Sequence, residues 1–92
     1  GASPTGNMRS IGVWTLSAYQ WTGKATASGV MPYVGGVAFN HLPLGTPIYI
    51  AGYGNFIVND RCGIGSRCDI YLGDVGACMG FGIRSAEILV YE

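Results

Sequence analysis

The stretch VAFNHLPLGTPIYIAGYGNFIVND, residues 37–60, decides the fold of this 92-residue chain. It holds three short runs of β-branched, aromatic and other apolar residues, and Gly, Pro or Asn bounds each run. Gly52 and Gly54 stand between the last two runs, where a hairpin connection needs residues that adopt positive φ. The stretch therefore predicts consecutive short strands joined by tight turns, which is typical of an all-β domain.

The strand pattern continues on both sides of this stretch. The predicted strands cover residues 11–19, 35–40, 46–51, 56–60, 69–72 and 88–91. One short helix is predicted from Asp74 to Phe81, with Asp74 as its N-cap, glycines at its end, and Ala77, Cys78 and Phe81 on its inner face. Closure into a barrel removes exposed strand edges without a second layer, so we predict an all-β fold, a small six-stranded β-barrel with one short helix.

Composition limits the classes of function. The chain is 49% hydrophobic and 11% charged, and its formal net charge is zero. Neutralising nucleic-acid phosphates needs clustered Lys and Arg, so no nucleic-acid partner is expected. No apolar run is long enough to span a bilayer, so no membrane span is expected. Residues 1–10 are expected to be a flexible leader or tag scar, and residues 11–92 the barrel domain.

Three cysteines, an odd number, leave their pairing open. Cys62 and Cys68 lie six positions apart in a glycine-rich segment, so a small disulfide loop is one possibility. Cys78 is interpreted as a small buried hydrophobic residue. The cysteines and the single histidine do not have the spacing of a closed zinc site, so no metal and no cofactor are expected.

Two carboxylates flank the glycine-rich segment. Asp60 ends one predicted strand and Asp69 begins the next. If the barrel brings both to one rim, their repulsion raises the pKa of one of them, which suits a general acid. In the alternative interpretation, Asp60 caps the loop and Asp69 pairs with Arg61 or Arg67. The residues alone leave both interpretations open.

Several motifs in order resemble the three-aspartate (3D) domain family over residues 14–91. The motifs are Ser17-Ala18-Tyr19, Thr26-Ala27-Ser28-Gly29, Val37-Ala38-Phe39-Asn40, LPLGTPIYI (residues 42–50), Gly52-Tyr53-Gly54, Val58-Asn59-Asp60, Asp69-Ile70-Tyr71 and Phe81-Gly82-Ile83-Arg84. The family forms the double-psi β-barrel of membrane-bound lytic transglycosylase A and of stationary-phase survival proteins of Firmicutes. The resemblance implies a secreted or cell-wall-associated protein that acts on peptidoglycan glycan strands.

The resemblance also implies roles for particular residues. Asp69 matches the presumed catalytic acid and base of a lytic transglycosylase, and Asp60 matches its supporting carboxylate, which would keep Asp69 protonated or orient it. The family's first aspartate falls where this chain has Asn40, which we expect to bind a sugar hydroxyl or acetamide. Tyr19, Thr26 and Ser28 match groove positions and are expected to bind substrate. The alternative is a glycan-binding module on the same barrel that no longer cuts.

Overall fold

The computed structural model describes residues 7–63 and 65–91 and contains six strands and one helix. The strands are β1 (Met8–Gln20), β2 (Gly36–Ala38), β3 (Pro47–Ile50), β4 (Gly54–Asp60), β5 (Arg67–Gly73) and β6 (Arg84–Tyr91). The helix α1 (Val75–Phe81) connects β5 to β6. The predicted all-β class with a single short helix is confirmed.

The six strands close into a barrel in the order β1-β5-β2-β4-β3-β6, with β6 returning to β1. Two of the pairings are parallel, β1 with β5 and β2 with β4, and the other four are antiparallel. β1 and β2 are separated in the barrel by β5, and the segment 21–35 that connects them is the longest connection between the described strands. This segment, called the crossover below, and the loop before β5 lie outside the wall of strands.

Alternate residues of the strands fill the barrel with a dry core. Its buried members are Leu16, Val37, Phe39, Ile48, Ile50, Val58, Cys68, Ile70, Ile88 and Val90. Trp14 packs on this core from one side, with its ring edge-on to Phe39 at a centroid distance of 4.9 Å and its indole N–H donated to the Ile11 carbonyl. Trp14 therefore contributes to the packing of the core.

The strand boundaries differ from the sequence prediction mainly at polar ends. β1 begins at Met8, inside the segment expected to be a leader, because Met8 pairs with Tyr91 of β6. β6 begins at Arg84 rather than residue 88, since Arg84 pairs with Leu16. Residues 1–6 of the expected leader lie outside the described residues.

Helix α1 follows the predicted capping chemistry. The Asp74 carboxylate accepts a hydrogen bond from the backbone N–H of Ala77, and Gly82 terminates the helix with φ 64°. The predicted inner face is only partly correct: Phe81 packs against the core, Cys78 is half-buried and Ala77 is exposed. Among the described residues, no helix has the length and apolar character to cross a membrane.

Candidate functional site

A row of paired residues runs across four neighbouring strands of the barrel. Ser17 of β1 pairs with Asp69 of β5, Asp69 pairs with Ala38 of β2, and Ala38 pairs with Asp60 of β4. Directly paired residues project to the same face of a sheet, so Ser17, Asp69 and Ala38 share one face. The register of β2 with β4 shifts between Val37 and Ala38, and this shift brings Asp60 into line with Ala38. The strand register aligns Asp60 and Asp69 with Ala38 between them, and the convergence of their carboxylates stays a prediction.

This row lies on the outside of the barrel. Cys68 and Ile70, the neighbours of Asp69 in β5, are both buried in the core, so the alternation of the strand directs Asp69 outward. The crossover returns over this outer face, because the backbone N–H of Ala27 donates to Asp60 Oδ1 at 2.9 Å. Asp69 therefore lies on the outer face of the barrel, and Asp60 is hydrogen-bonded to the crossover.

Burial raises the pKa of Asp69 above its usual range. Two neighbours oppose this shift: the Ser17 hydroxyl, which donates to Asp69 Oδ1 at 3.0 Å, and the positive charge of Arg67. Repulsion from Asp60, the cause anticipated from the sequence, is not among the causes of the shift. Partial removal of the carboxyl from water therefore favours its protonated form.

Asp60 is held by backbone groups on both sides. Its Oδ1 accepts hydrogen bonds from Ala27 N–H and from Arg61 N–H, the latter at 2.8 Å. The expected loop-capping role of this carboxylate is therefore present. The hydrogen bond that orients Asp69 comes from Ser17 and not from Asp60.

Tyr19, a residue of β1, lies near Asp60 and Asp69. Burial, with the carboxylates of Asp60 and Asp69 adding to it, raises the pKa of Tyr19 to about 12. Its ring meets that of Tyr71, its strand partner on β5, edge-on at a centroid distance of 5.1 Å. The hydroxyl is buried and has no hydrogen-bond partner among the described residues. Tyr19 therefore stays neutral beside two carboxylates and keeps its O–H as a donor.

Thr26 and Ser28 build the turn that carries the crossover over Asp60. The Thr26 hydroxyl donates to the Val30 carbonyl at 2.7 Å and lies 2.7 Å from the Ser28 hydroxyl. The backbone N–H of Ser28 donates to the Asn59 carbonyl in β4. Thr26 is buried and its hydroxyl is used inside the turn, whereas Ser28 is exposed at the surface of the turn.

Asn40 fixes one loop to another. Its Nδ2 donates to the Cys62 carbonyl at 2.7 Å, and its Oδ1 accepts from the Cys62 N–H at 2.8 Å. The guanidinium of Arg61 donates to the carbonyls of Phe39 and Leu42 and completes this brace. The Asn40 amide, expected to meet a sugar, thus holds the chain that leaves Asp60.

The disulfide left possible between Cys62 and Cys68 is not formed, and Cys78 is free as well. Cys68 points into the core, and Asn40 holds the backbone of Cys62 in the loop outside it. Burial, with added electrostatic effects of Asp69 and Cys62, raises the pKa of Cys68 to about 12. The side chain therefore stays a thiol, which is unreactive compared with a thiolate. Within residues 7–63 and 65–91, His, Cys, Asp and Glu side chains form no group that could hold a metal.

Ser17 belongs to the motif Ser17-Ala18-Tyr19, but the sequence predicted no role for it at the site. Its hydroxyl bond to Asp69 joins residues 52 positions apart, through the parallel pairing of β1 with β5. The available signal was the alternation of β1, which places Ser17 on the same face as Tyr19. Alternation identifies the face, but only the register of the distant strand identifies the partner.

No family model matches the chain, and no curated protein matches it either. The resemblance to the three-aspartate domain therefore rests on the residues quoted above.

Proposed function

We propose that this protein is a lytic transglycosylase that cleaves peptidoglycan glycan strands outside the cytoplasm, in a secreted or cell-wall setting, with Asp69 as its general acid and base. The observation that supports this best is the environment of Asp69. It is a partly buried carboxyl whose pKa is raised by burial, and it lies on the outer face beside a second carboxylate. A carboxyl whose pKa is raised holds its proton to higher pH than an exposed carboxyl, which suits a group that protonates a leaving oxygen.

The reaction requires one such group. Asp69 gives its proton to the bridging glycosidic oxygen as the bond from that oxygen to the anomeric carbon breaks. The 6-hydroxyl oxygen of the same muramic acid bonds to the anomeric carbon, and the hydroxyl proton passes to the Asp69 carboxylate. The products are a new free chain end and a 1,6-anhydromuramyl end, and Asp69 regains its proton. No water is consumed, so a second carboxylate acting as base is not needed, unlike in hydrolytic glycosidases.

Other residues of the site would support this step. Ser17 orients Asp69 through its hydrogen bond, and Asp60 anchors the crossover that forms the opposite wall. Tyr19, whose pKa burial raises to about 12, would stay neutral beside the two carboxylates.

One observation favours a second candidate, a glycan-binding module without turnover. Asn40, at the position of the family's first aspartate, uses both ends of its amide to hold Cys62. If the family's first carboxylate is required for chemistry, a brace at this position leaves a surface that binds glycan strands but does not cut them.

The deciding experiment treats purified peptidoglycan with the wild-type protein and with Asp69→Asn. We expect anhydromuramyl ends, detected by mass spectrometry, from the wild type and a loss of about 10²–10⁴-fold in their rate of formation in the variant. The matched control is Asp74→Asn. Asp74 is the exposed N-cap residue of α1, and Asn is also a good N-cap residue, so this variant should cleave like the wild type. Glycan binding without anhydromuramyl ends from the wild type would instead establish the second candidate, and full activity in Asp69→Asn would refute the role of Asp69.

A further inference from the structure

Trp21 has an exposed indole just past the end of β1. The same strand carries Ser17, which donates its hydroxyl hydrogen bond to Asp69. The Trp21 side chain is 51% exposed, and Trp21 follows the last residue of β1. Ser17 and Tyr19 occupy alternate positions of β1, and Trp21 lies just past the end of this strand, after the pairing with β5 shifts between Tyr19 and Gln20. Four residues of extended chain place Trp21 about 13 Å from the Ser17–Asp69 pair.

The backbone around Trp21 is well anchored. Its N–H donates to the Gly73 carbonyl at the end of β5, at 3.4 Å. The Thr22 hydroxyl bonds to both the N–H and the carbonyl of Lys24, which closes the next turn. Gly23, at φ 75°, lies beside the indole: a Cβ there would be 3.9 Å from Trp21 Nε1. Trp21 therefore projects from a fixed position and not from a loose loop.

We propose that Trp21 is a stacking platform for a sugar ring of a glycan strand that passes over Asp69, so that the site binds an extended strand and not a single disaccharide. This inference rests on the proposed function. An indole offers a broad apolar face with a polar edge, and the C–H face of a pyranose ring is its natural complement. The span from the Ser17–Asp69 pair to Trp21 is longer than one sugar ring, so the two contacts engage different units of the strand.

The surroundings favour recognition by stacking and hydrogen bonding over recognition by charge. The formal net charge of the chain is zero, and its basic residues are few. The segment from Ser17 to Trp21 carries hydroxyl and aromatic groups, and Asp69 of the neighbouring strand β5 adds a carboxyl group. Such a mixture of apolar faces and a few convergent polar groups is typical of sites that recognise small polar ligands by stacking and hydrogen bonding.

The test measures binding without turnover, in the Asp69→Asn background. The probes are peptide-free glycan strands of alternating N-acetylglucosamine and N-acetylmuramic acid, in a series of increasing length. Affinity is measured by calorimetry, and tryptophan emission is followed in parallel, because stacking a sugar on an exposed indole shifts its emission. Trp21→Ala removes the platform, and Trp21→Phe keeps an aromatic face. The control is Val13→Ala, an exposed position equally far from Ser17 along the chain, towards the start of β1.

We expect Trp21→Ala to weaken binding of long strands about tenfold and to leave the shortest strands unaffected, as when an aromatic anchor is removed. Trp21→Phe should retain most of the affinity, and Val13→Ala all of it. Equal affinity of the Trp21→Ala and parent proteins for long strands would overturn the platform while leaving the proposed function intact. If the parent binds no strand of any length, both the platform and the proposed function fail.

Discussion

Replacing Asn40 by Asp tests whether this position is a weakened catalytic carboxylate or a brace. In the structure the Asn40 amide donates to the Cys62 carbonyl at 2.7 Å and accepts from the Cys62 N–H at 2.8 Å. The change Asn40→Asp replaces the donating nitrogen by an oxygen, which then faces the Cys62 carbonyl oxygen. The family pattern predicts a gain of activity from the restored carboxylate, whereas the brace predicts a loss of stability.

The size of that loss follows from the single bond removed. A hydrogen bond contributes about 0.5–1.5 kcal/mol net, and solvent at this exposed loop limits the further penalty, so we expect Asn40→Asp to lower the free energy of unfolding by about 1 kcal/mol at pH 7. For a domain of this size, that corresponds to a fall in Tm of about 4–8 °C. A protonated carboxyl can donate to the Cys62 carbonyl again, so the cost should fade below about pH 4.

The assay is thermal and urea unfolding of both proteins at pH 7 and at pH 3.5, with anhydromuramyl formation measured at pH 7. Asn7→Asp, the same change at an exposed residue ahead of β1, controls for the added charge. We expect Asn40→Asp to cleave more slowly as well, because the loop that Asn40 holds follows Asp60 directly in the chain. A variant as stable as the wild type at pH 7, or one whose loss is the same at both pH values, would refute the brace.

Two further predictions concern stability alone. The raised pKa of Asp69 means that the folded state binds its proton more tightly than the unfolded state does. Ionisation of Asp69 therefore lowers the free energy of unfolding as pH rises from about 4 through the folded pKa, and it has no such effect at lower pH. Asp69→Asn should therefore have a higher Tm than the wild type at pH 7 and no such advantage at pH 3; an unchanged difference across this range would contradict the burial of the carboxyl. Gly36→Ala should destabilise the protein by about 1–3 kcal/mol, because the new Cβ would lie 2.3 Å from Asn59 Nδ2. Adding Asn59→Ala should recover most of this loss in urea unfolding, and strictly additive effects would show that the two side chains do not collide.

Local sequence patterns predicted most of the barrel but missed polar strand ends. The hairpin between β3 and β4 was predictable because Gly52 and Gly54 mark the turn between two apolar runs. The beginning of β6 was not, because Arg84, Ser85 and Glu87 are exposed and polar, and only their pairing with β1 makes them strand. Propensity carries no information on a partner so distant in the chain.

The candidate site, like the barrel, was predicted only in part from local sequence patterns. The spacing of Asp60 and Asp69 suggested that they converge, and the register places both beside Ala38. The bond between Ser17 and Asp69 and the brace at Asn40 were beyond local patterns, since each joins segments that meet only when the barrel closes. A hydrogen bond of this kind depends on two loops or strands arriving in one register, which no single window of sequence records.

The pairing of β1 also has a consequence for how the chain folds during synthesis. β1 is hydrogen-bonded only to β5 and β6 among the described strands, and these are the last two of them to be made, so this long strand has no partner until most of the barrel has left the ribosome. Contacts between such distant segments slow folding, because the entropy of closing the chain is lost before the pairing is gained. During that interval β1 presents two open edges, which are the surfaces on which strands of separate molecules pair.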